Sequence, residues 1–171
     1  TPRTAVLIGG HSKSHTLDKT AHEVHIKAID QILEQGGSVM LSTSRRTLDW
    51  ARADYQSRAQ SNANIWLWDS ETSQGDNPYF AFLAAANAIL ATQDSTNMLT
   101  EACATGKPVF TLPMSGTSGK FETLYAQLKD RCHVTPFTGT LTAPTYAPLN
   151  ETNRIAKIIF QEINDNPARR Q

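Results

Sequence analysis

The sequence contains only two cysteines among 171 residues and no excess of charge of either sign. Two cysteines are too few for a disulfide framework or a cysteine-based zinc site, and they favour a reducing, cytoplasmic compartment. The 16 basic and 16 acidic side chains cancel, whereas binding to a phosphate backbone requires a marked basic excess, so we expect no nucleic-acid partner. No apolar run approaches the roughly 20 residues that cross a bilayer, so we expect no transmembrane segment.

Short apolar runs alternate with segments of helical periodicity, which predicts alternating strands and helices. This alternation favours a single α/β domain over residues 1–171, with a three-layer, doubly wound, Rossmann-like parallel sheet of five to six strands. The predicted strands are residues 4–8, 38–42, 65–68, 88–92, 108–112 and, as the sixth, 133–137. The predicted helices are residues 21–35, 48–59, 97–105 and 120–129, with another after Asn77 and Pro78 and a last one capped by Asn150.

The pattern also makes predictions about individual side chains. Thr47 is predicted to cap the helix at 48–59, because its hydroxyl group can accept from a free helical N–H. Trp66 and Trp68 share one face of the third strand, and we expect Trp66 to pack in the core. The last helix carries a stripe of isoleucines at helical spacing, namely Ile155, Ile158, Ile159 and Ile163.

In a doubly wound sheet, ligands bind beyond the carboxyl ends of the strands, near the switch in strand order. The first of the loops at that edge, residues 9–15, reads G-G-H-S-K-S-H. Paired glycines let a backbone approach a phosphate closely, so Gly9, Gly10 and Ser12 are candidate phosphate-binding residues. The segment is neither GxGxxG nor a Walker A motif, which argues against NAD or P-loop binding. A tight turn without a ligand is the alternative.

The second loop at this edge, residues 43–47, contains two adjacent arginines. A guanidinium group pairs with phosphate oxygens in a fork geometry, and the helix that follows adds the positive end of its dipole. Arg45 is therefore a candidate phosphate-binding residue, ahead of Arg46. The alternative is a pair of solvated surface arginines.

The fourth loop leads into a short helix and is the most informative. Ser95, Thr96 and Asn97 can cap this helix or present its free N–H groups to an anion. Glu101, near the start of the helix, is placed to accept hydrogen bonds from ribose hydroxyl groups. The alternative is a capped surface helix with an ordinary glutamate.

The run at 101–108, E-A-C-A-T-G-K-P, resembles the nucleotide-sugar segment of GT-B glycosyltransferases. In those enzymes a glutamate five residues before a glycine binds the ribose, and a proline opens the next strand. Almost the whole chain also resembles the mitochondrial fission family named after the plant Elongated Mitochondria protein, whose bacterial members are labelled as predicted nucleoside-diphosphate-sugar epimerases. The matching segments are V-L-I-G-G (6–10), T-S-R-R-T (43–47), W-D (68–69), D-N-P-Y (76–79), T-Q-D-S-T-N-M-L-T-E-A (92–102), T-G-K-P-V (105–109), G-K-F (119–121) and Y-A-P-L-N-E-T (146–152).

The resemblance to GT-B enzymes implies a role for several of these residues. Glu101 would contact the ribose, while Ser95, Thr96 and the loop at 9–10 would contact the diphosphate, with Arg45 neutralising its charge. Two further groups of candidates follow from the resemblance. The first ends the third strand, near the expected position of the base. The second lies in a glycine-rich loop that would either close over the ligand or merely connect a strand to a helix. They are Trp68 and Asp69 for the base, and Ser118, Gly119 and Lys120 for the lid.

In GT-B enzymes the C-terminal of two Rossmann-like domains binds the nucleotide sugar, and the N-terminal one supplies the acceptor pocket. The resemblance implies that this chain is the C-terminal half of such a protein, that the N-terminal domain is its partner, and that the chain by itself is not a complete enzyme. Three functions are compatible with it: a nucleotide-sugar-dependent transferase acting on a cell-envelope acceptor, a nucleoside-diphosphate-sugar epimerase, and a non-enzymatic interaction module.

The expected ligand is a nucleoside-diphosphate sugar, and GT-B transfer requires no bound metal or other cofactor. Any membrane contact would be peripheral, at the inner face, and made through the partner domain. His22 and His25 lie one residue short of the HExxH spacing and have no evident third ligand, so we expect no metal there. The sequence leaves the catalytic residues unassigned.

Overall fold

The computed structural model describes residues 1–116 and 119–165, without the side chains of Lys120 and Phe121. Every predicted strand and helix is present, and no boundary differs from its prediction by more than three residues. The strands are β1 (Arg3–Ile8), β2 (Ser38–Thr43), β3 (Ile65–Trp68), β4 (Ala88–Thr92), β5 (Val109–Leu112) and β6 (Thr135–Pro136). The helices are α1 (Lys19–Glu34), α2 (Asp49–Ser61), α3 (Tyr79–Ala85), α4 (Thr96–Cys103), α5 (Gly119–Cys132) and α6 (Glu151–Asp165).

The six strands form one parallel sheet in the order β3-β2-β1-β4-β5-β6. At the centre, Val6 of β1 lies between Leu41 of β2 and Leu90 of β4. The chain winds outward from β1 to β3, returns through α3, and continues from β4 to the other edge. This confirms the predicted doubly wound sheet, and its switch point lies between the carboxyl ends of β1 and β4.

Two hydrophobic cores cover the two faces of the sheet. Val6 and Ile8 of β1 point to the core beneath α1 and α2, whereas Ala5 and Leu7 point to the core beneath α3, α4 and α5. From Thr4 to Ile8 the side chains of β1 are therefore buried on both faces. This double burial explains why a central parallel strand reads as a continuous apolar run.

The edge strand β3 differs from its prediction in one respect. Trp66 is 59% exposed, so the prediction that it packs in the core is wrong. The strand has only four residues and a neighbour on one side. The indole ring makes a T-shaped contact with the Phe82 ring of α3, with ring centroids 5.0 Å apart, and most of its surface stays uncovered.

Two of the predicted caps have different outcomes in the structure. Asn150 caps α6 as predicted, because its side-chain oxygen accepts from the N–H of Asn153 at 3.1 Å. Thr47 does not cap α2. The residue at the capping position is Leu48, and no side chain accepts a capping hydrogen bond there. The hydroxyl of Thr47 donates instead to the carbonyl oxygen of Gly9 at 2.6 Å. It therefore joins the loop after β2 to the loop after β1.

The last helix, α6, contains the predicted isoleucine stripe, but no residue of α6 is buried against the described part of the chain. Its first turn is held by an ion pair of 2.7 Å between Glu151 and Arg131 of α5. Within the residues that the structure describes, no helix is both long enough and apolar enough to span a membrane.

Candidate ligand-binding site

A cleft of about 240 Å³ lies at the carboxyl edge of the sheet, on the face covered by α3 and α4. Its floor is formed by the last residues of β1 and β2, and Met98 of α4 forms part of one wall. The polar side chains around it come from two segments of the chain, the end of β2 with the loop after it, and the loop between β3 and α3 with the first residue of α3. They include Thr43, Ser44, Arg45, Ser70, Asn77 and Tyr79.

The loop after β2 brings Arg45 to this cleft, as the position of the loop predicted. Its side chain is exposed, and the structure gives its guanidinium group no partner within residues 1–116 and 119–165. The neighbouring Arg46 is engaged, since its Nη2 donates to Oδ2 of Asp94 at 3.2 Å. Arg45 is therefore the arginine of the pair that is available to an anionic ligand.

Ser70, which follows β3, has a buried hydroxyl oxygen with no hydrogen-bond partner in the described residues. Its backbone N–H donates to the hydroxyl of Thr43 at 3.4 Å, which holds the residue against the cleft. Buried hydroxyl groups are almost always paired in folded proteins. An unpaired hydroxyl in the wall of a cleft is what a polar ligand or a bound water would satisfy.

Glu101 lies on α4, one layer behind the cleft. Its Oε2 accepts from the hydroxyl of Tyr79 at 2.6 Å, and Tyr79 itself lines the cleft. Burial, and next the hydrogen bond to Glu101, raise the pKa of Tyr79 well above its usual range, so the tyrosine stays protonated and donates. Glu101 also lines a second hollow of about 570 Å³, between α4 and the start of α6.

The two glycines after β1 bring two loops of the chain together. The N–H of Gly9 donates to the hydroxyl of Thr92 at 2.8 Å, and the N–H of Gly10 donates to Asp94 at 3.1 Å. A Cβ atom on Gly9 would lie 2.1 Å from a carboxylate oxygen of Asp94. On Gly10 it would lie 1.8 Å from the carbonyl oxygen of Arg46. The paired glycines thus allow a close approach between two loops of this chain, and both of their N–H groups already have acceptors.

Three other predicted site residues have internal partners. The hydroxyl of Ser12 accepts from the N–H of His15 at 3.0 Å, which closes a turn. Asp69 is 1% exposed, and its Oδ1 accepts from the N–H of Glu71 at 2.8 Å while its Oδ2 accepts from Gln56 at 3.0 Å. Trp68 packs partly buried against the core beneath α3 and α4. Asp69 thus shapes the loop that carries Ser70.

The start of α4 lies beside the cleft. Ser95 caps the helix, and its hydroxyl accepts from the N–H of Met98 at 3.3 Å. The N–H groups of Thr96 and Asn97 belong to the first helical turn and have no acceptor within the helix. Since Met98 lines the cleft, this turn borders it and adds the positive end of the helix dipole.

Of the predicted lid, Ser118 lies outside the described residues. Gly119 and Lys120 are the first two residues of α5. Earlier in this loop, Ser115 and Thr16 exchange backbone hydrogen bonds of 2.8 and 2.9 Å. Gly116, at φ 98°, packs against Ser14 so closely that a Cβ atom would lie 2.3 Å from its carbonyl oxygen.

Sequence reasoning missed Ser70, Asn77 and Tyr79 as site residues. Ser70 and Asn77 come from the segment between β3 and α3, and Tyr79 is the first residue of α3. This part of the chain carries no glycine-rich or basic signature. The run D-N-P-Y (76–79) indicates a helix start, and the side chain of Asn77 does accept from the N–H of Tyr79 at 3.0 Å. Tyr79 reaches the cleft because of the way α3 packs on the sheet, which no local pattern reports.

The two histidines of α1 form a buried polar chain with α2. His22 lies 2.8 Å from Asp54 and 3.2 Å from the hydroxyl of Tyr55, which is also 3.1 Å from Nδ1 of His25. Nε2 of His25 donates to the carbonyl oxygen of Pro113 at 2.7 Å. Across the described ranges, no three histidine, cysteine or acidic side chains converge to hold a metal ion.

The strand order, the switch-point cleft and similarity to solved structures define a Rossmann-like α/β domain of the GT-B type. The sequence model of the family described as Mitochondrial fission ELM1 matches residues 1–163, and the chain belongs to this family. The predicted resemblance is therefore confirmed.

Two curated relatives and one solved structure represent these similarities. The chain is 30% identical over 135 residues to Mitochondrial fission protein ELM1 of Arabidopsis thaliana, a match that covers 77% of this chain and 31% of that protein. It is 29% identical over 161 residues to uncharacterized protein RP120 of Rickettsia prowazekii (strain Madrid E), with coverages of 91% and 45%. The chain thus spans less than half the length of either relative.

The solved structure is the UDP-GlcNAc 2-epimerase of Methanocaldococcus jannaschii in complex with UDP-GlcNAc and UDP. Its TM-score is 0.59 at 16% identity, and the match covers 94% of this chain and 46% of that one. At this identity the similarity establishes the fold.

Proposed function

We propose that this chain binds the nucleoside diphosphate of a nucleotide sugar in the cleft at the switch point. One observation carries the proposal: the cleft combines an unpaired guanidinium group, at Arg45, with a buried and unpaired hydroxyl, at Ser70. The first attracts an anion, and the second requires a polar partner. The solved epimerase with UDP-GlcNAc and UDP has the same fold, which supports a ligand of this class.

The diphosphate would lie between Arg45 and the start of α4. Arg45 offers two parallel donors to phosphate oxygens, and the N–H groups of Thr96 and Asn97 offer two more together with the helix dipole. Gly9 and Gly10 would not donate to the ligand, because their N–H groups already donate to Thr92 and Asp94. They would contribute by letting the loops at this edge pack closely together.

The nucleoside would lie towards α3. Ribose hydroxyl groups would meet Tyr79, whose hydroxyl is bonded to Glu101, and the base would lie near Ser70 and Asn77, on the loop that Asp69 holds in shape. This arrangement takes the predicted ribose contact at Glu101 and adds Tyr79 between it and the cleft.

For the whole protein we propose a GT-B-type glycosyltransferase that acts on a cell-envelope acceptor in the cytoplasm. The chain corresponds to 46% of the solved epimerase chain, which leaves room for a second domain to supply the acceptor pocket and the base. The fixed donors around the diphosphate would stabilise the leaving group without a metal ion.

The second candidate is a nucleoside-diphosphate-sugar epimerase of the same architecture. The fold of the UDP-GlcNAc 2-epimerase favours it. The relationship to the plant mitochondrial fission protein leaves room for a third, a non-enzymatic interaction module. Such a module would need neither a free Arg45 nor a polar cleft.

The decisive experiment is an NMR titration of this chain with UDP, GDP, CDP, ADP and their sugar conjugates. We expect saturable binding of nucleotides with one base, at an affinity about tenfold weaker in Arg45→Ala and in Glu101→Ala. The first variant removes a charge-assisted hydrogen bond to phosphate, and the second removes the acceptor that holds the hydroxyl of Tyr79. Arg46→Ala is the matched control, because its guanidinium is already paired with Asp94. Absence of binding at millimolar concentrations of every nucleotide would refute the proposal.

The reaction is a separate question for the full-length protein. Incubation with the nucleotide sugar that binds best would yield its epimer if the protein is an epimerase. A transferase would instead release nucleoside diphosphate in proportion to the added acceptor.

A further inference from the structure

Four hydrogen bonds run in series through the buried polar chain between α1, α2 and the loop after β5. They lead from the carboxylate of Asp54 through His22, Tyr55 and His25 to the carbonyl oxygen of Pro113. The distances along this path are 2.8, 3.2, 3.1 and 2.7 Å. The two imidazoles and the phenol are buried, whereas the side chain of Asp54 is 43% exposed. The Asp54 end of the path thus meets the solvent.

Both ends of this path can only accept hydrogen bonds. A backbone carbonyl has no proton to give, so Nε2 of His25 must donate to Pro113. An ionised carboxylate also accepts only, so Nε2 of His22 must donate to Asp54. Two neutral imidazoles would then both present Nδ1 as an acceptor to the single proton of Tyr55. Four hydrogen bonds require four protons, and the neutral side chains carry only three between them.

The fourth proton has one favourable position on the path. Burial raises the pKa of Tyr55 well above its usual range, so the hydroxyl keeps its own proton. Burial lowers the pKa of His25 to about 4, so this imidazole is neutral at about pH 7. His22 is the member that bonds a carboxylate, which stabilises a positive charge on its ring. A doubly protonated His22 donates to Asp54 and to the Tyr55 oxygen, and the Tyr55 hydroxyl donates to His25.

Loss of the fourth proton leaves a buried nitrogen without a donor. The Tyr55 proton then serves Nδ1 of the fully buried His25, and Nδ1 of His22 faces an oxygen lone pair 3.2 Å away. A buried acceptor without a partner destabilises the arrangement that holds it. His22 has an alternative position, because it also lines a groove of about 460 Å³ between α1 and α2. With its ring turned into that groove, Nδ1 accepts from water.

The surroundings of His22 favour the protonated ring. The ring meets those of Trp50 and Tyr55 in T-shaped contacts, with centroids 5.0 and 4.9 Å away. On the groove side, four carboxylates outnumber two cations, and on the buried side lie the phenol and the second imidazole. These groups are Glu23, Asp30, Glu34, Asp54, Lys27 and Arg58 in the groove, and Tyr55 and His25 behind it. Arg58 is itself bound to Asp30 at 2.8 Å and lies 3.7 Å from Asp54, so it does not displace His22 from that carboxylate.

We propose that His22 is a proton-operated latch between α1 and α2. With the fourth proton bound, its ring is docked against Asp54, Tyr55 and Trp50. When Nδ1 loses this proton to the solvent, the ring turns out of the buried polar chain into the groove, and the contact with Trp50 is lost. The groove between the two helices thus has two states that pH selects. This inference is independent of the proposed function.

The test is NMR spectroscopy of the wild-type chain from about pH 5 to pH 9, a range that spans the titration of a histidine beside a carboxylate. At the acidic end we expect both ring nitrogens of His22 to be protonated and a nuclear Overhauser contact between the rings of His22 and Trp50. Above the transition, Nδ1 alone should be unprotonated and this contact should be lost. The indole N–H signal of Trp66, whose ring packs on Phe82, is the internal control and should not follow the transition.

Tyr55→Phe tests the competition for the phenolic proton. With phenylalanine at this position, Nδ1 of His22 no longer faces an oxygen atom, so the ring should keep its contact with Trp50 after it loses the proton. Tyr125→Phe, which removes a hydroxyl bonded to the carbonyl of Gln93, is the matched control and should behave as the wild type does.

Asp54→Asn tests the position of the fourth proton and covers a failure of Tyr55→Phe to fold. The amide oxygen can still accept from Nε2 of His22, but the negative charge is gone. The transition should therefore move to lower pH by about one unit.

Three results would overturn the inference. The first is a His22 ring with only one protonated nitrogen over the whole pH range. The second is a contact with Trp50 that survives the loss of the proton in the wild-type chain. The third is a contact that is lost equally in the wild type and in Tyr55→Phe, because competition for the Tyr55 proton would then not be the cause.

Discussion

Arg46 and Asp94 form an ion pair of 3.2 Å between the loops that follow β2 and β4. The Asp94 side chain is fully buried, whereas the Arg46 side chain is 48% exposed. The same carboxylate also accepts from the N–H of Gly10 and from the hydroxyl of Thr92. Asp94 therefore fixes three loops at the switch point, and by engaging Arg46 it leaves Arg45 as the free arginine.

Replacing Asp94 by alanine should lower the free energy of unfolding by about 3 kcal/mol, because it leaves two buried donors without an acceptor. Arg46→Ala removes only the exposed partner and should cost no more than about 1 kcal/mol. Urea denaturation of the two variants measures this difference. Equal losses would mean that the ion pair, and not the buried hydrogen bonds, holds the loops.

Gly10→Ala should destabilise the fold by about 2–3 kcal/mol, because the added Cβ atom would meet the backbone of Arg46 and force two loops apart. The matched control is Gly119→Ala, at the first position of α5, where nothing lies within 4 Å of the added atom. That variant should be neutral or up to about 1 kcal/mol more stable. Thermal unfolding of both variants checks the prediction, and a stable Gly10→Ala protein would contradict the close packing of these loops.

His25 should make stability depend on pH. Burial lowers its pKa from 6.5 to about 4 in the folded chain, although its hydrogen bond to the carbonyl of Pro113 opposes the shift. Above pH 6.5 the imidazole is neutral in both states. As the pH falls from 6.5 towards 4, the unfolded chain takes up a proton that the folded chain does not, so the free energy of unfolding decreases.

The expected decrease from this group is up to about 3 kcal/mol between pH 6.5 and pH 4. Urea denaturation at several pH values measures it, and subtracting the curve for His25→Gln isolates the histidine. Identical pH dependence in the two proteins would show that His25 titrates normally in the folded state.

Tyr55→Phe should cost about 1–3 kcal/mol, because Nδ1 of the fully buried His25 loses the hydroxyl that lies 3.1 Å away. Tyr125→Phe serves for comparison, since its hydroxyl donates to the carbonyl of Gln93 at a partly buried position. A loss of no more than about 1 kcal/mol is expected there. Similar stabilities for the two variants would argue against a structural role of the buried chain between α1 and α2.

The sequence by itself determined the strands, the helices and the parallel sheet. These features depend on local signals: the apolar run of β1, the cap at Asn150, and the left-handed Gly36 after α1, at φ 75°. Because parallel strands require crossovers, the alternation of the elements also fixed the edge at which a cleft would open. The positions of Arg45 and of the first turn of α4 at that edge follow from the same local signals.

Only the tertiary structure decided which polar groups at that edge are free. Gly10, Arg46 and Asp69 carry donors or acceptors suited to a ligand, yet hydrogen bonds to other parts of the chain use them. Gly10 and Asp94 are 84 positions apart in the chain, and Tyr79 and Glu101 are 22 apart. A local pattern reports the chemistry of a side chain, but its availability depends on the neighbours that folding supplies. For the same reason Trp66, apolar and in a strand, remains at an open edge.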